Sequence, residues 1–322
     1  MRMDELYEKA LRREPITKEE ALWLYQQPLD RLCEKADAIR AHVCADRFDL
    51  CTIINGKSGR CSENCRFCAQ SAHHHTGVGE YPLLSTEEIV AQAKVAAAQG
   101  IPRYSIVTSG KRLSRGEVEQ MCRAVEQIRE QTDLSVCVSF GLLDEGQYRQ
   151  LKQAGVERVH NNLETSRRYF PNICTTHTYE DKIAAIRAAQ AAGLSVCSGG
   201  IMGLGELPED RIDMALELRA LWIKSVPVNL LNPIPGTPLE HCQRLTAQEL
   251  CRTVAVYRFL LPDAFIRLAG GRGLLDDQGE RCFRSGANAA ITGDMLTTAG
   301  ITAATDRKLL ARLGYRVEDG HE

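Results

Sequence analysis

Three cysteines lie close together in the segment CSENCRFC, at Cys61, Cys65 and Cys68. Thiolates spaced C-x3-C-x2-C on one short stretch can hold three corners of a metal cluster, because each is a soft, anionic ligand. A structural zinc ion normally takes four ligands from paired C-x2-C units, and the chain contains no second such pair. The spacing therefore favours a 4Fe–4S cluster with one iron open to a further ligand over a zinc knot or a chance grouping.

A fourth cysteine, Cys51, lies ten residues upstream of Cys61 in the apolar run FDLCTIIN. It either serves the same metal or packs in the core like a small hydrophobic residue. Four further cysteines occur in helical patterns and are interpreted as core packing: Cys33, Cys122, Cys242 and Cys251. The histidines 73–75 are interpreted as loop surface. Thirteen cysteines, an odd number, argue against a disulfide framework.

The composition is that of an ordinary globular chain of 322 residues, with 44% hydrophobic and 25% charged residues. A net charge of −2 argues against a general nucleic-acid binder. No apolar run approaches the roughly 20 residues that span a bilayer, and the segment MRMDELYEKALRREP lacks the apolar core of a signal peptide. We therefore expect a cytoplasmic protein that binds neither nucleic acid nor a membrane.

The elements that must position the cysteines alternate regularly from about residue 47 onward. Eight apolar or β-branched runs are each followed by an amphipathic helical stretch; the runs are FDLCTIIN, RYSIVTSG, LSVCVSFG, VERVHNNLE, LSVCSGGIM, SVPVNLLN, AFIRLAGG and ANAAITG. Eight strand–helix units predict an α/β fold, a (β/α)8 barrel of the TIM type. A doubly wound sheet is disfavoured, since no G-x-G-x-x-G follows the first strand.

We predict two domains of unequal size. Residues 1–45 are expected to form two short helices, one of them capped by Thr17 with Glu20 three positions later. Residues 46–322 are expected to form the barrel with a C-terminal helix. The three-cysteine stretch then lies in the first strand-to-helix loop, at the face where barrels of this kind place their chemistry.

C-x3-C-x2-C on the first loop of a barrel resembles the radical S-adenosylmethionine (SAM) superfamily. The resemblance narrows to the biotin synthases through pieces that occur in order over residues 61–293: CSENCRFCAQS, NNLETS, TTHTYEDK, VCSGGIMGLGE, VPVNLLNPIPGTPL, IRLAGGR and CFRSGANAAITG. Nearly the whole predicted barrel is covered. The triplet alone indicates only the superfamily.

The resemblance implies a mechanism, cofactors and partners. Cys61, Cys65 and Cys68 would hold a 4Fe–4S cluster whose open iron chelates SAM, and an electron from that cluster would release a 5′-deoxyadenosyl radical. The radical would remove two hydrogens from dethiobiotin, and sulfur would come from an auxiliary iron–sulfur cluster. A reducing donor such as flavodoxin or ferredoxin and a homodimer are further implications.

The resemblance also assigns contacts to SAM and to the substrate. SAM would contact Phe67 in the three-cysteine loop. It would also contact four residues at the strand ends: Ser109 (in the stretch Thr108–Gly110), Asn162, Glu164 and Met202. Glu164 would accept hydrogen bonds from the ribose diol, unless it is only a helix-entry charge. Asn162, Asn229 and His160 would contact dethiobiotin, because an amide offers both a donor and an acceptor to a cyclic urea.

The auxiliary cluster departs from the family pattern. Cys137, Cys197 and Arg267 match its ligands, but the position of its remaining cysteine is Ser105, a poor ligand for soft metals. Cys51 would replace it, because strands one, three, five and seven contribute one interior layer of such a barrel.

We expect a 4Fe-type auxiliary cluster with an extra sulfide on the three cysteines. A 2Fe–2S cluster with Arg267 bound is the second choice, and Cys51 as plain core packing stays open. The nearest enzymatic alternatives on the same scaffold resemble a hydrogenase-cofactor maturase or a pyrrolysine-pathway mutase, and Cys137, Cys197 and Arg267 favour sulfur insertion over both. A non-enzymatic iron–sulfur electron carrier or a zinc-stabilised binding barrel is a different class of alternative.

Overall fold

The structure is a computed structural model that describes residues 2–321. Its strands are β1 (Arg47–Lys57), β2 (Arg103–Thr108), β3 (Ser135–Ser139), β4 (Arg158–His160), β5 (Ser195–Cys197), β6 (Gly200–Met202), β7 (Ser225–Leu230), β8 (Phe265–Leu268), β9 (Ala289–Thr292) and β10 (Arg316–Val317). Its helices are α1 (Arg2–Leu11), α2 (Lys18–Tyr25), α3 (Leu29–Cys44), α4 (Thr86–Ala98), α5 (Arg115–Gln131), α6 (Glu145–Ala154), α7 (Tyr179–Ala191), α8 (Pro208–Ala220), α9 (Ala247–Leu260), α10 (Glu280–Phe283) and α11 (Ala303–Arg312). Two 3-10 turns lie at Phe170–Asn172 and Arg272–Leu274.

The strands form one closed parallel barrel. Neighbours pair in the order β1, β2, β3, β4, β5, β7, β8 and β9, and β9 pairs with β1 to close the ring. Helices between the strands cover the outside, so the predicted (β/α)8 fold is confirmed. None of the helices in residues 2–321 is long and apolar enough to cross a membrane.

The fifth predicted strand is split into β5 and β6. Both halves pair with β7, and the break falls at Ser198 and Gly199. A Cβ on Gly199 would lie 1.9 Å from the carbonyl oxygen of Pro227, so only glycine allows this close backbone approach.

Two other predictions about the elements are wrong. Residues before β1 form three helices and not the predicted two. The last of them, α3, begins directly after Pro28, whose fixed φ favours a helix start. These helices pack against α8 and α9 on the outside of the barrel. The helix predicted over DDQGERCFRSG is only the four residues of α10. The Thr17 cap is confirmed, with Thr17 and Glu20 in a capping box.

Alternation along each strand separates an apolar core from a chemically active lumen. On β1, Leu50 and Ile54 are buried against the helices, whereas Cys51 and Ile53 line the cavity inside the barrel. The same period places Val136 and Val138 in the core and Cys137 in the lumen. Because the apolar core lies between strands and helices, the lumen is left for polar and thiol side chains.

Candidate active site

One cavity of about 390 Å³ opens at the carboxyl ends of the strands and reaches down into the lumen. Its size is that of a small-molecule site. It is lined by every predicted site residue except Met202, namely Cys51, Cys61, Cys65, Phe67, Cys68, Ser109, Cys137, His160, Asn162, Glu164, Cys197, Asn229 and Arg267. The predicted radical-generating loop and the predicted sulfur store therefore face the same enclosed space.

The three-cysteine loop folds back on itself at the mouth of the cavity. The Cys61 N–H donates to the Gln70 carbonyl (2.9 Å) and the Ala72 N–H to the Cys61 carbonyl (2.8 Å). The ring of His74 is hydrogen-bonded to the Cys68 carbonyl at 2.9 Å, and that of His73 to the Ser62 carbonyl at 3.0 Å. These histidines, interpreted from sequence as loop surface, brace the loop.

The loop thiols are spread more widely than the ligands of a single ion. Cys61, Cys65 and Cys68 are all half-buried, and their sulfur atoms do not gather within 4.8 Å of one another as a group. A tetrahedral zinc ion at about 2.3 Å from sulfur needs ligands about 3.8 Å apart. The donor set therefore fits a multi-iron cluster. Burial raises the pKa of Cys68 to about 11, so a bound metal is needed to keep it as thiolate at neutral pH.

Deeper in the lumen, three buried thiols and a guanidinium face the same space. Cys51, Cys137 and Cys197 are at most 6% exposed and Arg267 is 1% exposed. Arg267 Nη1 donates to Cys51 Sγ at 3.2 Å, and the Ser225 hydroxyl donates to Cys197 Sγ at 3.2 Å. These three sulfur atoms also do not gather within 4.8 Å, which again fits a cluster better than a single ion.

Beneath this layer lies Asp49, 3% exposed, which the sequence reasoning missed. One of its oxygens, Oδ2, is 2.8 Å from Arg267 Nη2 and 2.8 Å from Arg158 Nη1. Arg103 Nε is 3.7 Å from the other oxygen. The Asp49 carboxylate thus pairs with three buried arginines directly below the thiols. In addition, Arg267 Nε is buried and has no hydrogen-bond partner among residues 2–321. An anionic thiolate–sulfide cluster above Arg267 would give this guanidinium a further partner of opposite charge.

The electrostatics differ among the three lumen thiols. Burial raises the pKa of Cys197, but the hydrogen bond and charge of His160, with Arg267 and Arg158, outweigh it and lower the pKa to about 6. Burial raises the pKa of Cys137 to about 12. It also raises the pKa of Cys51, although Arg267 opposes the shift. Cys197 is therefore the thiol most readily ionised before metal binding.

The predicted SAM contacts lie on the upper part of the cavity. Ser109 is buried, and its hydroxyl donates to the Gly59 carbonyl at 2.8 Å. Phe67 lines the cavity and packs against a small apolar cluster that includes Ile173. Glu164 adopts a left-handed φ of 69°, a costly conformation for a non-glycine residue, and burial raises the pKa of its carboxyl.

Met202 is not brought to the cavity. Its side chain is fully buried in the core outside the strands, and the neighbouring Ile201 lines the cavity instead. Ile201 pairs with Asn229 across the β6–β7 ladder, so these two side chains share the lumen face. The Met202 side chain therefore does not face the cavity, and the predicted contact of this segment with SAM, expected through its backbone, stays a prediction.

The side chains of the two predicted substrate-binding asparagines already form hydrogen bonds with backbone groups. Asn162 Oδ1 accepts from the Gly199 N–H at 3.1 Å. Asn229 donates to the Gly200 carbonyl at 3.0 Å and accepts from the Gly270 N–H at 2.8 Å. Asn162 Nδ2 also donates to Glu164 Oε2 at 3.4 Å. The two amides thus fix the glycine turns around the cavity, and each has a second Nδ2–H to donate. His160 ends β4 and lies opposite Cys197 across the β4–β5 ladder.

A second group of side chains beside the loop was not predicted as a site. Cys174 and His177 lie in the loop before α7, 4% and 6% exposed, and their ligand atoms lie with Cys65 Sγ in a group within 4.8 Å. Glu63 Oε2 is 2.6 Å from His177 Nδ1. The local signal was the spacing C-x2-H in CTTHTYEDK, which becomes informative only when the loop packs against Cys65.

Two family models match the chain. The Radical SAM superfamily matches residues 57–218, which contain the three-cysteine loop. The Biotin and Thiamin Synthesis associated domain matches residues 227–316, which contain Arg267.

Curated relatives are similar over nearly the whole chain. The biotin synthase of Brachyspira hyodysenteriae is 57% identical over 316 residues, covering 98% of this chain and 95% of the relative. That of Akkermansia muciniphila is 58% identical over 301 residues, or 94% of each chain. That of Clostridium botulinum is 51% identical over 315 residues, covering 98% of this chain and 99% of the relative.

Solved structures share the fold at low identity. Methylornithine synthase superposes with a TM-score of 0.84 at 20% identity, covering 97% of each chain. HydG, a maturase of the FeFe-hydrogenase, gives a TM-score of 0.84 at 18% identity, covering 98% of this chain and 75% of that one. At such identities the likeness shows the barrel alone.

Proposed function

Because the chain belongs to the biotin synthase family of radical SAM enzymes, we propose that it inserts sulfur into dethiobiotin, with a radical source and a sulfur store in one barrel lumen. The observation that carries the proposal is that Cys51, Cys137 and Cys197 line one lumen. They lie directly above the Asp49 carboxylate and the arginines paired with it. Neither an electron carrier nor a binding barrel needs buried thiols beneath a substrate-sized cavity.

Cys61, Cys65 and Cys68 would hold the 4Fe–4S cluster at the cavity mouth. With SAM bound, the chemistry that such a cluster would supply is a 5′-deoxyadenosyl radical able to take hydrogen from an unactivated carbon. The chain's own residues then have two tasks. They orient SAM through the Glu164 carboxylate and the Ser109 region, and they exclude water from the enclosed lumen.

Cys51, Cys137 and Cys197 would hold the auxiliary cluster, with Cys51 in place of the cysteine that Ser105 lacks. Ser105 is paired with Cys137 across the β2–β3 ladder and is buried. Both residues line the same cavity, and a hydroxyl is a poor ligand for soft metals, so Ser105 would lie beside a ligand and would not be one itself.

Arg267 is better suited to neutralise the cluster than to ligate iron. Its Nη1 already donates to Cys51 Sγ, to the Asp49 carbonyl at 3.1 Å and to the Ala290 carbonyl at 3.0 Å. Its Nη2 is engaged by the Asp49 carboxylate. A guanidinium so occupied supports the 4Fe-type cluster with an extra sulfide over a 2Fe–2S cluster with Arg267 bound.

Dethiobiotin would lie between the two metal sites, where Asn162, Asn229 and His160 line the cavity. The free amide N–H groups would meet the carbonyl oxygen of its cyclic urea. We further propose a cytoplasmic homodimer reduced by a flavodoxin or ferredoxin; these three assignments rest on the family alone.

Anaerobic incubation of reconstituted protein with dithionite, SAM and dethiobiotin tests the function. We expect both 5′-deoxyadenosine and biotin, and absence of both would reject it. Iron and sulfide analysis of Cys51→Ala protein tests the ligand assignment, with Cys122→Ala as the matched control. We expect Cys51→Ala to lose the auxiliary iron and keep the loop cluster; unchanged iron content would refute the role of Cys51.

A further inference from the structure

Cys174 and His177, which belong to neither cluster site, lie beside Cys65 of the three-cysteine loop, so that three metal-binding atoms come together. Among residues 2–321 they are the one group of three such atoms lying within 4.8 Å of one another. Cys174 Sγ is 3.3 Å from His177 Nδ1. Ligands about 2.0–2.3 Å from a tetrahedral zinc ion lie about 3.3–3.8 Å apart. Cys174 and His177 already have that separation, and Cys65 Sγ lies within 4.8 Å of both.

A buried carboxylate orients the histidine of this group. Glu63 Oε2 lies 2.6 Å from His177 Nδ1 and 2.8 Å from the Thr176 hydroxyl, and Glu63 is 6% exposed. A carboxylate hydrogen-bonded to a histidine fixes the orientation of its ring, as it does beside many metal sites. A divalent ion at the group would be bound by two sulfurs and one nitrogen, a set suited to Zn²⁺ or Fe²⁺.

The site is held in shape by contacts that do not depend on metal. Asn64 Nδ2 donates to the Thr175 hydroxyl at 2.7 Å, and Asn64 Oδ1 accepts from the Thr175 N–H at 2.9 Å. The Arg66 N–H donates to the Ile173 carbonyl at 3.0 Å. Hydrogen bonds thus hold the three-cysteine loop against the loop before α7 on both sides of the thiols. Binding of an ion therefore requires little further ordering of the chain.

We propose that the cluster-free protein binds a single borderline-soft divalent cation through Cys65, Cys174 and His177, with Glu63 orienting the histidine ring. The ion and the 4Fe–4S cluster would be mutually exclusive, because both require the Cys65 thiolate. The site would keep the three-cysteine loop closed until iron and sulfide are available. It would also make cluster assembly sensitive to zinc.

Cobalt titration of anaerobic, reduced, cluster-free protein tests the site without reference to activity. In Cys61→Ala/Cys68→Ala protein, which cannot hold the loop cluster, we expect thiolate-to-Co²⁺ charge-transfer bands from this site. Adding Cys174→Ala should remove one bound Co²⁺ per chain, whereas adding Cys122→Ala should remove none. Any Co²⁺ held by the lumen thiols cancels in this comparison. Equal Co²⁺ content and spectra with and without Cys174→Ala would overturn the proposal.

A second experiment tests whether the ion and the 4Fe–4S cluster compete for Cys65, and it rests on the proposed role of Cys65 as a cluster ligand. One equivalent of Zn²⁺ should slow 4Fe–4S formation in the wild type, and Cys174→Ala should largely relieve the delay. Circular dichroism verifies that each variant is folded. Equal delays in both proteins, or none in either, would refute the exclusion between ion and cluster. Failure of biotin formation would leave the cobalt result intact, so the two proposals fail separately.

Discussion

Replacing Asp49 with asparagine should destabilise the cluster-free protein far more than the reconstituted one. Asp49 is a buried carboxylate that pairs with Arg103, Arg158 and Arg267 beneath the lumen thiols. Asp49→Asn removes its negative charge and keeps its shape, so all three arginines lose this ion-pair partner. An anionic auxiliary cluster directly above would replace part of the lost negative charge.

The size of the effect follows from the burial of the group. Breaking a buried ion pair by removing one partner costs about 3–5 kcal/mol, and Asp49 is 3% exposed. At about 2.1 cal/mol/K per residue, the unfolding entropy of 322 residues is about 0.7 kcal/mol/K. The cluster-free variant should therefore melt about 4–7 °C below the wild type. Once the auxiliary cluster is built, the difference should shrink.

Anaerobic thermal melts followed by circular dichroism, with and without reconstitution, measure both differences. Asp276→Asn changes an exposed carboxylate in the same way and should shift neither melt by more than about 1 °C. If cluster-free Asp49→Asn protein melts at the same temperature as the wild type, the ion pairs of Asp49 contribute no net stability. If the variant melts equally far below the wild type with and without the auxiliary cluster, the cluster does not compensate the charge of the arginines, and that claim is refuted.

Three further predictions concern the loop, the SAM contact and the backbone. Cys65→Ala should abolish 5′-deoxyadenosine formation without lowering the melting temperature by more than about 2 °C, since the side chain is half-buried; retained SAM cleavage would contradict its role. Glu164→Gln should raise the KM for SAM about 10- to 150-fold, the loss of a charge-assisted hydrogen bond of about 1.5–3 kcal/mol. Burial raises the pKa of Glu164, so the wild type loses stability as pH rises through that pKa. The melting temperature of Glu164→Gln should therefore exceed that of the wild type near about pH 8, and the difference should disappear below about pH 4. A difference that grows on acidification would contradict this prediction. Gly199→Ala would put a Cβ 1.9 Å from the Pro227 carbonyl oxygen, so it should cost at least about 1–3 kcal/mol and lower lumen iron content. Gly77→Ala, with nothing within 4 Å, should do neither.

Local patterns were sufficient to predict the barrel and most of the cavity lining. Successive side chains of FDLCTIIN alternate between the two faces of β1, so Leu50 and Cys51 must lie on opposite faces. The strand order of the predicted barrel then indicated that Cys51 faces the lumen, where the structure has it. Counting in steps of two from Cys197 likewise reaches Ile201, which lines the cavity.

Features that depend on packing between distant segments were not predictable in this way. Asp49 and Arg158 meet across the lumen because of the stagger of a closed barrel, and no single strand encodes that distance. His177 approaches Cys65 only because the loop before α7 packs against the three-cysteine loop. Each segment alone has an ordinary loop composition.

Transfer of labelled sulfur tests most directly that the lumen stores the sulfur used for biotin. Protein reconstituted with isotopically labelled sulfide is allowed one turnover with dithionite, SAM and dethiobiotin, without any other sulfur source. We predict labelled biotin from the wild type, and 5′-deoxyadenosine without biotin from Cys197→Ala. Unlabelled biotin from the wild type, or labelled biotin from Cys197→Ala at the wild-type yield, would contradict a sulfur store on the lumen cysteines.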